Sequence, residues 1–183
     1  MIGCSYRELK GKRTIITGDI GSGKTVLTRK LLREALESGE AVTVIDFAPK
    51  ARIINGVKVG GFLVDGETDC RVLRSENIST PRLSASDADE LVKLADLNAK
   101  ITLDMLAEFI GDPTQVLVIN DTSIHLQSGD IEPLFLAIEK SETVILNGYI
   151  GEYLKEDHGT GISNREKELM KILAQSMDGE IKL

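Results

Sequence analysis

The junction that most constrains this chain is Gly18-Asp19-Ile20-Gly21-Ser22-Gly23-Lys24-Thr25, which joins a short β-branched run, Arg13–Thr17, to an amphipathic segment beginning at Lys24. These residues satisfy G-x-x-x-x-G-K-[ST] at every fixed position. The pattern carries meaning where a strand precedes it and a helix follows. Both conditions hold here: Leu27, Leu31 and Ala35 form an i, i+4 row flanked by Leu32 and Leu36, and Gly39 stands where a helix-ending glycine belongs. Glycines let the backbone approach an anion closely, so successive N–H groups form a cradle at the positive end of the helix. Lys24 adds a cation, and Thr25 adds a hydroxyl oxygen of the kind that hard divalent ions accept.

Strands and helices alternate at both ends of the chain, which predicts an α/β fold. Ala41–Asp46 (AVTVID), Gln115–Asn120 (QVLVIN) and Thr143–Asn147 (TVILN) are nearly continuous apolar runs, as expected of parallel strands covered on both faces. The expected architecture is one domain spanning residues 1–183, a three-layer α/β/α sandwich around a mostly parallel sheet. Residues 87–110 read as two helices joined near Leu97–Ala99. Asp130 is expected to cap a helix carrying Pro133, and Ser163-Asn164-Arg165-Glu166 reads as a capping box for a last amphipathic helix. Met170 and Met177 fall at core spacing. Residues 47–82 break the alternation. Asn55-Gly56 between ARII and VKV predicts a hairpin, and a second is expected with Phe62–Asp65 and Cys70–Arg74 on either side of Gly66.

Composition excludes several classes. Hydrophobic residues are 42% and charged residues 28% of 183 residues, enough apolar material for a full core. No apolar run reaches the ~20 residues of a membrane span, and residues 1–13 hold no signal-like apolar stretch, so a cytoplasmic protein is expected. The net charge of −7, with 4% aromatic residues and no Trp, argues against a nucleic-acid partner. Cys4 and Cys70 form no C-x-x-C pair and signal neither a disulfide framework nor a zinc site.

The Gly18–Thr25 stretch resembles the Walker A motif of the P-loop NTPase superfamily, and Val116–Asp121 (VLVIND) resembles its Walker B strand. The resemblance implies a P-loop sheet with nucleotide at the carboxyl ends of the strands, and phosphates held by residues 18–26: Gly18, Asp19, Ile20, Gly21, Ser22, Gly23, Lys24, Thr25 and Val26. By the same resemblance Lys24 neutralises the β- and γ-phosphates, while Thr25 and Asp121 hold Mg²⁺. The bland alternative for Asp121 is a strand-end acid in a turn. Many hydrolysing members with a strand between the two motifs carry Glu after the Walker B Asp. This chain has Thr122. Asp46, at the tip of the second strand, is the substitute catalytic base, or else an acid capping a turn before Pro49. Asn147 resembles a polar residue held near the γ-phosphate in some of these ATPases, and Asn147-Gly148 equally suits a turn.

The implied activity is Mg-dependent ATP (or GTP) binding with slow or partner-stimulated nucleoside-triphosphatase turnover. ATP is expected over GTP because no N-K-x-D occurs. Two rivals stand: a small-molecule, nucleotide or adenosyl-type transferase, and a non-catalytic nucleotide-gated switch. The loop 152–165, with Lys155, His158 and Arg165, covers a nucleotide or is a charged surface loop. Lys50, Arg52, Arg71, Arg74 and Arg82 are interspersed with acids and read as a mixed solvated surface. The 47–82 excursion is expected to carry specificity, through a protein partner or a homodimer, or else to act as a structural flap.

Overall fold

A computed structural model describes residues 4–54 and 57–183. In chain order the elements are α1 (Tyr6–Leu9), β1 (Arg13–Gly18), α2 (Lys24–Glu37), β2 (Val42–Asp46), β3 (Arg52–Ile54), β4 (Val57–Val59), β5 (Arg71–Arg74) and α3 (Pro81–Ser84). There follow α4 (Ala88–Gly111), β6 (Val116–Asn120), α5 (Ser123–Leu126), α6 (Glu132–Glu139), β7 (Thr143–Tyr149), α7 (Ile162–Gln175) and β8 (Gly179–Lys182).

Six strands form one parallel sheet in the order β5-β2-β6-β7-β1-β8. The apolar strand runs are continuous because successive side chains feed two cores on opposite faces. Ile16, Val44, Val118 and Ile145 pack with Leu31, Leu32 and Ala35 of α2 and Tyr6 of α1. Their neighbours Ile15, Ile45, Leu117, Ile119 and Leu146 pack on the other face with Leu106, Phe109, Leu134, Met170 and Leu173 of the later helices. The three-layer α/β/α sandwich is therefore present.

Several local expectations need correction. α4 is a single helix of 24 residues with no joint at Leu97–Ala99. Asn98 interrupts the apolar pattern because its buried amide reaches the preceding loop: Oδ1 accepts from Ser79 N at 2.9 Å and Nδ2 donates to Ser79 O at 3.1 Å. The second hairpin is absent. Residues 71–74 instead join the main sheet as β5, parallel to β2, while Phe62 and Leu63 are buried without strand pairing. Asn55-Gly56 lies outside the described residues, although the flanking β3 and β4 pair antiparallel. α6 begins at Glu132, with Ile131 rather than Asp130 at its cap position. Gly161 precedes α7, and Glu166 makes no capping box because its carboxylate is buried elsewhere. Residues 179–182 form β8 by pairing in parallel with β1.

Candidate functional site

The loop from Gly18 to Lys24 connects the carboxyl end of β1 to the first turn of α2. Its glycines meet two distinct requirements. A Cβ on Gly18 would lie 2.6 Å from Leu183 O and 2.7 Å from Ser22 Oγ, closer than real carbons approach. Gly23 occupies the position before the helix at φ 96°, a left-handed conformation that favours glycine. Lys24 Nζ donates to the carbonyls of Gly18 at 2.9 Å and Asp19 at 2.7 Å. Burial lowers the Lys24 pKa, while the facing carboxylates of Asp121 and Asp19 pull it back up. Asp19 pins the neighbouring chain: its Oδ1 accepts from Ile20 N at 2.7 Å and its Oδ2 from Glu152 N at 3.0 Å. The 152–165 loop is thus tied to the glycine-rich loop at one end.

β7 lies between β1 and β6, so the tips of all three strands converge. Asp121, just past β6, has φ 57°, a left-handed conformation uncommon outside glycine and enriched for Asp and Asn. Its N–H donates to Asn147 Oδ1 at 2.9 Å, and its Oδ1 accepts from Ser123 Oγ at 3.0 Å. Burial pushes its pKa up; the Ser123 hydrogen bond and then the Lys24 charge oppose this. Ile20, Gly21, Lys24, Thr25, Asp121 and Asn147 line one cavity of about 180 Å³. Val26 does not; it is exposed and lines a wider trough of about 670 Å³ that shares Gly21, Lys24 and Thr25 with the first. Ser22 Oγ is buried without a hydrogen-bond partner among the described residues.

Asn147 lies within β7 and forms no turn with Gly148. It joins a buried polar chain that crosses the sheet. Asn147 Nδ2 donates to Thr28 Oγ1 of α2 at 2.9 Å and to Asn120 Oδ1 at 2.8 Å, and Asn120 Nδ2 donates to Asp46 Oδ1 at 2.8 Å. Asp46 also accepts from Leu63 N at 2.5 Å and Ala48 N at 3.1 Å. Fully buried and absent from the cavity wall, Asp46 ties β2 and β6 to the excursion. Asn120 carries a local signal in the sequence, a polar residue at the end of an apolar strand, whereas Thr28, inside α2, carries none.

Burial pushes Asp46 up to about 6, against three donated hydrogen bonds that pull it down. A carboxyl whose folded pKa exceeds its unfolded value of about 3.9 stabilises the fold below that value and loses this contribution as pH rises through 6. Relative to Asp46→Asn, the wild type is therefore expected to lose about 2 kcal/mol between pH 4 and 6.5. Urea unfolding of both proteins across that range measures the difference, and a pH-independent difference would contradict it.

Arg82, expected on a solvated surface, is instead buried. Its Nη2 donates to Glu166 Oε1 at 2.9 Å and Oε2 at 2.8 Å, its Nη1 donates to Leu154 O at 3.0 Å, and the guanidinium lies 5.4 Å from the Tyr149 ring centroid. Gln127 Nε2 donates to Glu166 Oε2 at 2.9 Å. Burial pushes Glu166 up to about 7, opposed first by the Arg82 charge. The sequence held no local sign of this pair, whose members stand 84 positions apart. His125 is likewise buried; its ring stacks on Phe47 at 5.7 Å and bonds Thr102 Oγ1 and Asp130 O, which makes it a core residue.

No cluster of three or more His, Cys, Asp or Glu suited to a metal occurs among the described residues, and none of their helices is long and apolar enough to cross a membrane. No protein-family model matches the sequence, and no curated protein matches it. Among solved structures, the chain is similar to the flagellar accessory protein FlaH from Methanocaldococcus jannaschii, with 13% identity, a TM-score of 0.46, and coverage of 94% of this chain and 71% of that one. That likeness is too distant to carry any residue's role across. The parallel α/β sheet, with its glycine-rich loop at the carboxyl end of β1, stands on the topology itself.

Proposed function

We propose that the chain binds a Mg²⁺–nucleoside triphosphate, ATP in preference to GTP, and turns it over slowly. The observation that carries this reading is the convergence of Lys24, Thr25 and Asp121 on one cavity, at the junction of a parallel strand with the N-terminus of α2. Backbone N–H groups of the loop would hold the phosphates, and the Lys24 ammonium would neutralise them. The Thr25 hydroxyl and the Asp121 carboxylate are hard oxygen donors of the kind Mg²⁺ requires. A cation there would also offset the cost of burying the Asp121 carboxylate.

Two features support slow turnover. Thr122 follows Asp121, has no basic group, and its hydroxyl is buried without a partner among the described residues. Asp46 would have to give up three hydrogen bonds to reach a water molecule, so it suits a structural tie better than a general base. A well-placed base is typically worth ~10²–10⁴-fold in rate.

The test is a thermal-shift series with ATP, GTP, dATP and CTP, with and without Mg²⁺. Wild type is expected to shift most with Mg–ATP. Asp121→Asn is expected to weaken Mg–ATP binding about tenfold or more, about 1.4 kcal/mol, while leaving metal-free binding nearly unchanged. Equal losses in both conditions would assign Asp121 to the fold alone.

A further inference from the structure

Asp121 is held in its left-handed conformation, φ 57°, by a single neighbouring residue. Its own N–H donates to Asn147 Oδ1 at 2.9 Å, and the next N–H, that of Thr122, donates to Asn147 O at 2.8 Å. Two consecutive amides tied to one residue leave the Asp121 backbone little freedom. A residue with a side chain keeps such a conformation only where its surroundings impose it. With the backbone fixed, Ser123 Oγ directs the carboxylate by donating to Oδ1 at 3.0 Å.

The polarity of the bonds behind Asn147 explains why its oxygen, and not its NH₂, faces Asp121. At the far end Asp46 is an acceptor, bonded by the N–H groups of Ala48 and Leu63. Asn120 presents its NH₂ to Asp46 Oδ1, which turns its own Oδ1 toward Asn147. Asn147 must present its NH₂ there, which leaves Oδ1 for the Asp121 N–H, a group that can only donate. The branch to α2 agrees: Thr28 Oγ1 donates to Lys24 O at 2.9 Å, so toward Asn147 it accepts. Asp46, Asn120, Asn147 and Thr28 are all buried, so water does not compete for these bonds.

The same donors bear on what Asn147 can touch. Its amide has two N–H donors, and Thr28 and Asn120 engage both. Asn147 therefore borders the cavity with no free donor to offer a phosphate oxygen. We infer that Asn147, oriented by Asn120 and Asp46, is a positioning residue: it fixes Asp121 for the Mg²⁺ proposed above, a reading on which this role rests, and binds no phosphate itself.

The experiment is isothermal titration calorimetry of ATP into the full chain, once with Mg²⁺ and once with EDTA. The quantity read is the ratio of the two affinities, because a general weakening of the fold lowers both alike. Asn147→Ala is expected to lower this ratio about tenfold, as Asp121→Asn does. Combining the two is expected to stay within about twofold of Asp121→Asn alone, whereas independent effects would multiply to about a hundredfold. Asn120→Leu removes the group that orients the Asn147 amide and is expected to lower the ratio about threefold. It serves in the same cycle with Asp121→Asn if Asn147→Ala fails to fold. A ratio unchanged from wild type, or losses that multiply in the double variant, would overturn the inference. Wild type reports the underlying reading separately. If Mg²⁺ does not strengthen its ATP binding, the metal reading falls and this role falls with it; if wild type and the single variants depend equally on Mg²⁺, this role alone falls.

Discussion

Lys24→Ala is expected to abolish nucleotide-induced stabilisation while leaving the chain folded. A ligand present at 100 times its Kd stabilises the native state by about 2.7 kcal/mol, which for a chain of this size is a shift of roughly 5–10 °C. The ammonium is the one cation within the loop itself, and it faces both Asp121 and Asp19. Without it, an incoming triphosphate meets two carboxylates with no compensating charge in the loop. The effect on the unliganded fold is expected to be small. Two hydrogen bonds to the carbonyls of Gly18 and Asp19 are lost, but so is the desolvation of a partly buried ammonium. Melting curves of wild type and Lys24→Ala, with and without millimolar Mg–ATP, decide the matter. A variant that keeps the full shift would remove Lys24 from the binding site.

Arg82→Ala is expected to be the most destabilising single substitution in the cavity wall. Removing the guanidinium leaves the Glu166 carboxylate buried with only the Gln127 amide for a partner, and breaking a buried pair in this way costs about 3–5 kcal/mol. The loss should depend on pH with a definite sign. Glu166, already raised to about 7, would be pushed higher still without Arg82, so the folded variant holds a proton that the unfolded chain releases above about pH 4.3. The deficit is therefore expected to be largest near pH 8 and to shrink at pH 5. Adding Glu166→Leu to Arg82→Ala should recover part of the loss, because it removes the stranded charge. Urea unfolding of the two single variants and the double variant at pH 5 and pH 8 tests this, and a pH-independent deficit would show that lost packing, not lost charge pairing, is responsible. Arg82→Lys should not rescue, since one ammonium cannot serve both Glu166 oxygens and the Leu154 carbonyl in the same geometry.

What the sequence determined by itself was whatever is encoded between near neighbours. The β1–loop–α2 junction was legible because its glycines, Lys24 and Thr25 are consecutive, and the dual-core sheet because a strand buried on both faces must be apolar at every position. Asp121 stood out as an acid ending such a run. Where local signals failed, a distant partner had taken over a residue. Asn98 looked like a break between helices because its amide serves the Ser79 backbone. Glu166 resembled a capping residue although its carboxylate pairs with Arg82 across 84 positions. Cys70–Arg74 looked like half of a hairpin, yet β2 offered a parallel edge to residues 71–74 that buries Leu73 in the core. Asp46 stands at a strand tip, and the hydrogen bonds that Leu63, Ala48 and Asn120 donate to it are visible only in the packed chain. Tertiary structure decided these cases for one physical reason: a buried polar group must find its partners in space, and a linear pattern records the group without recording the partner.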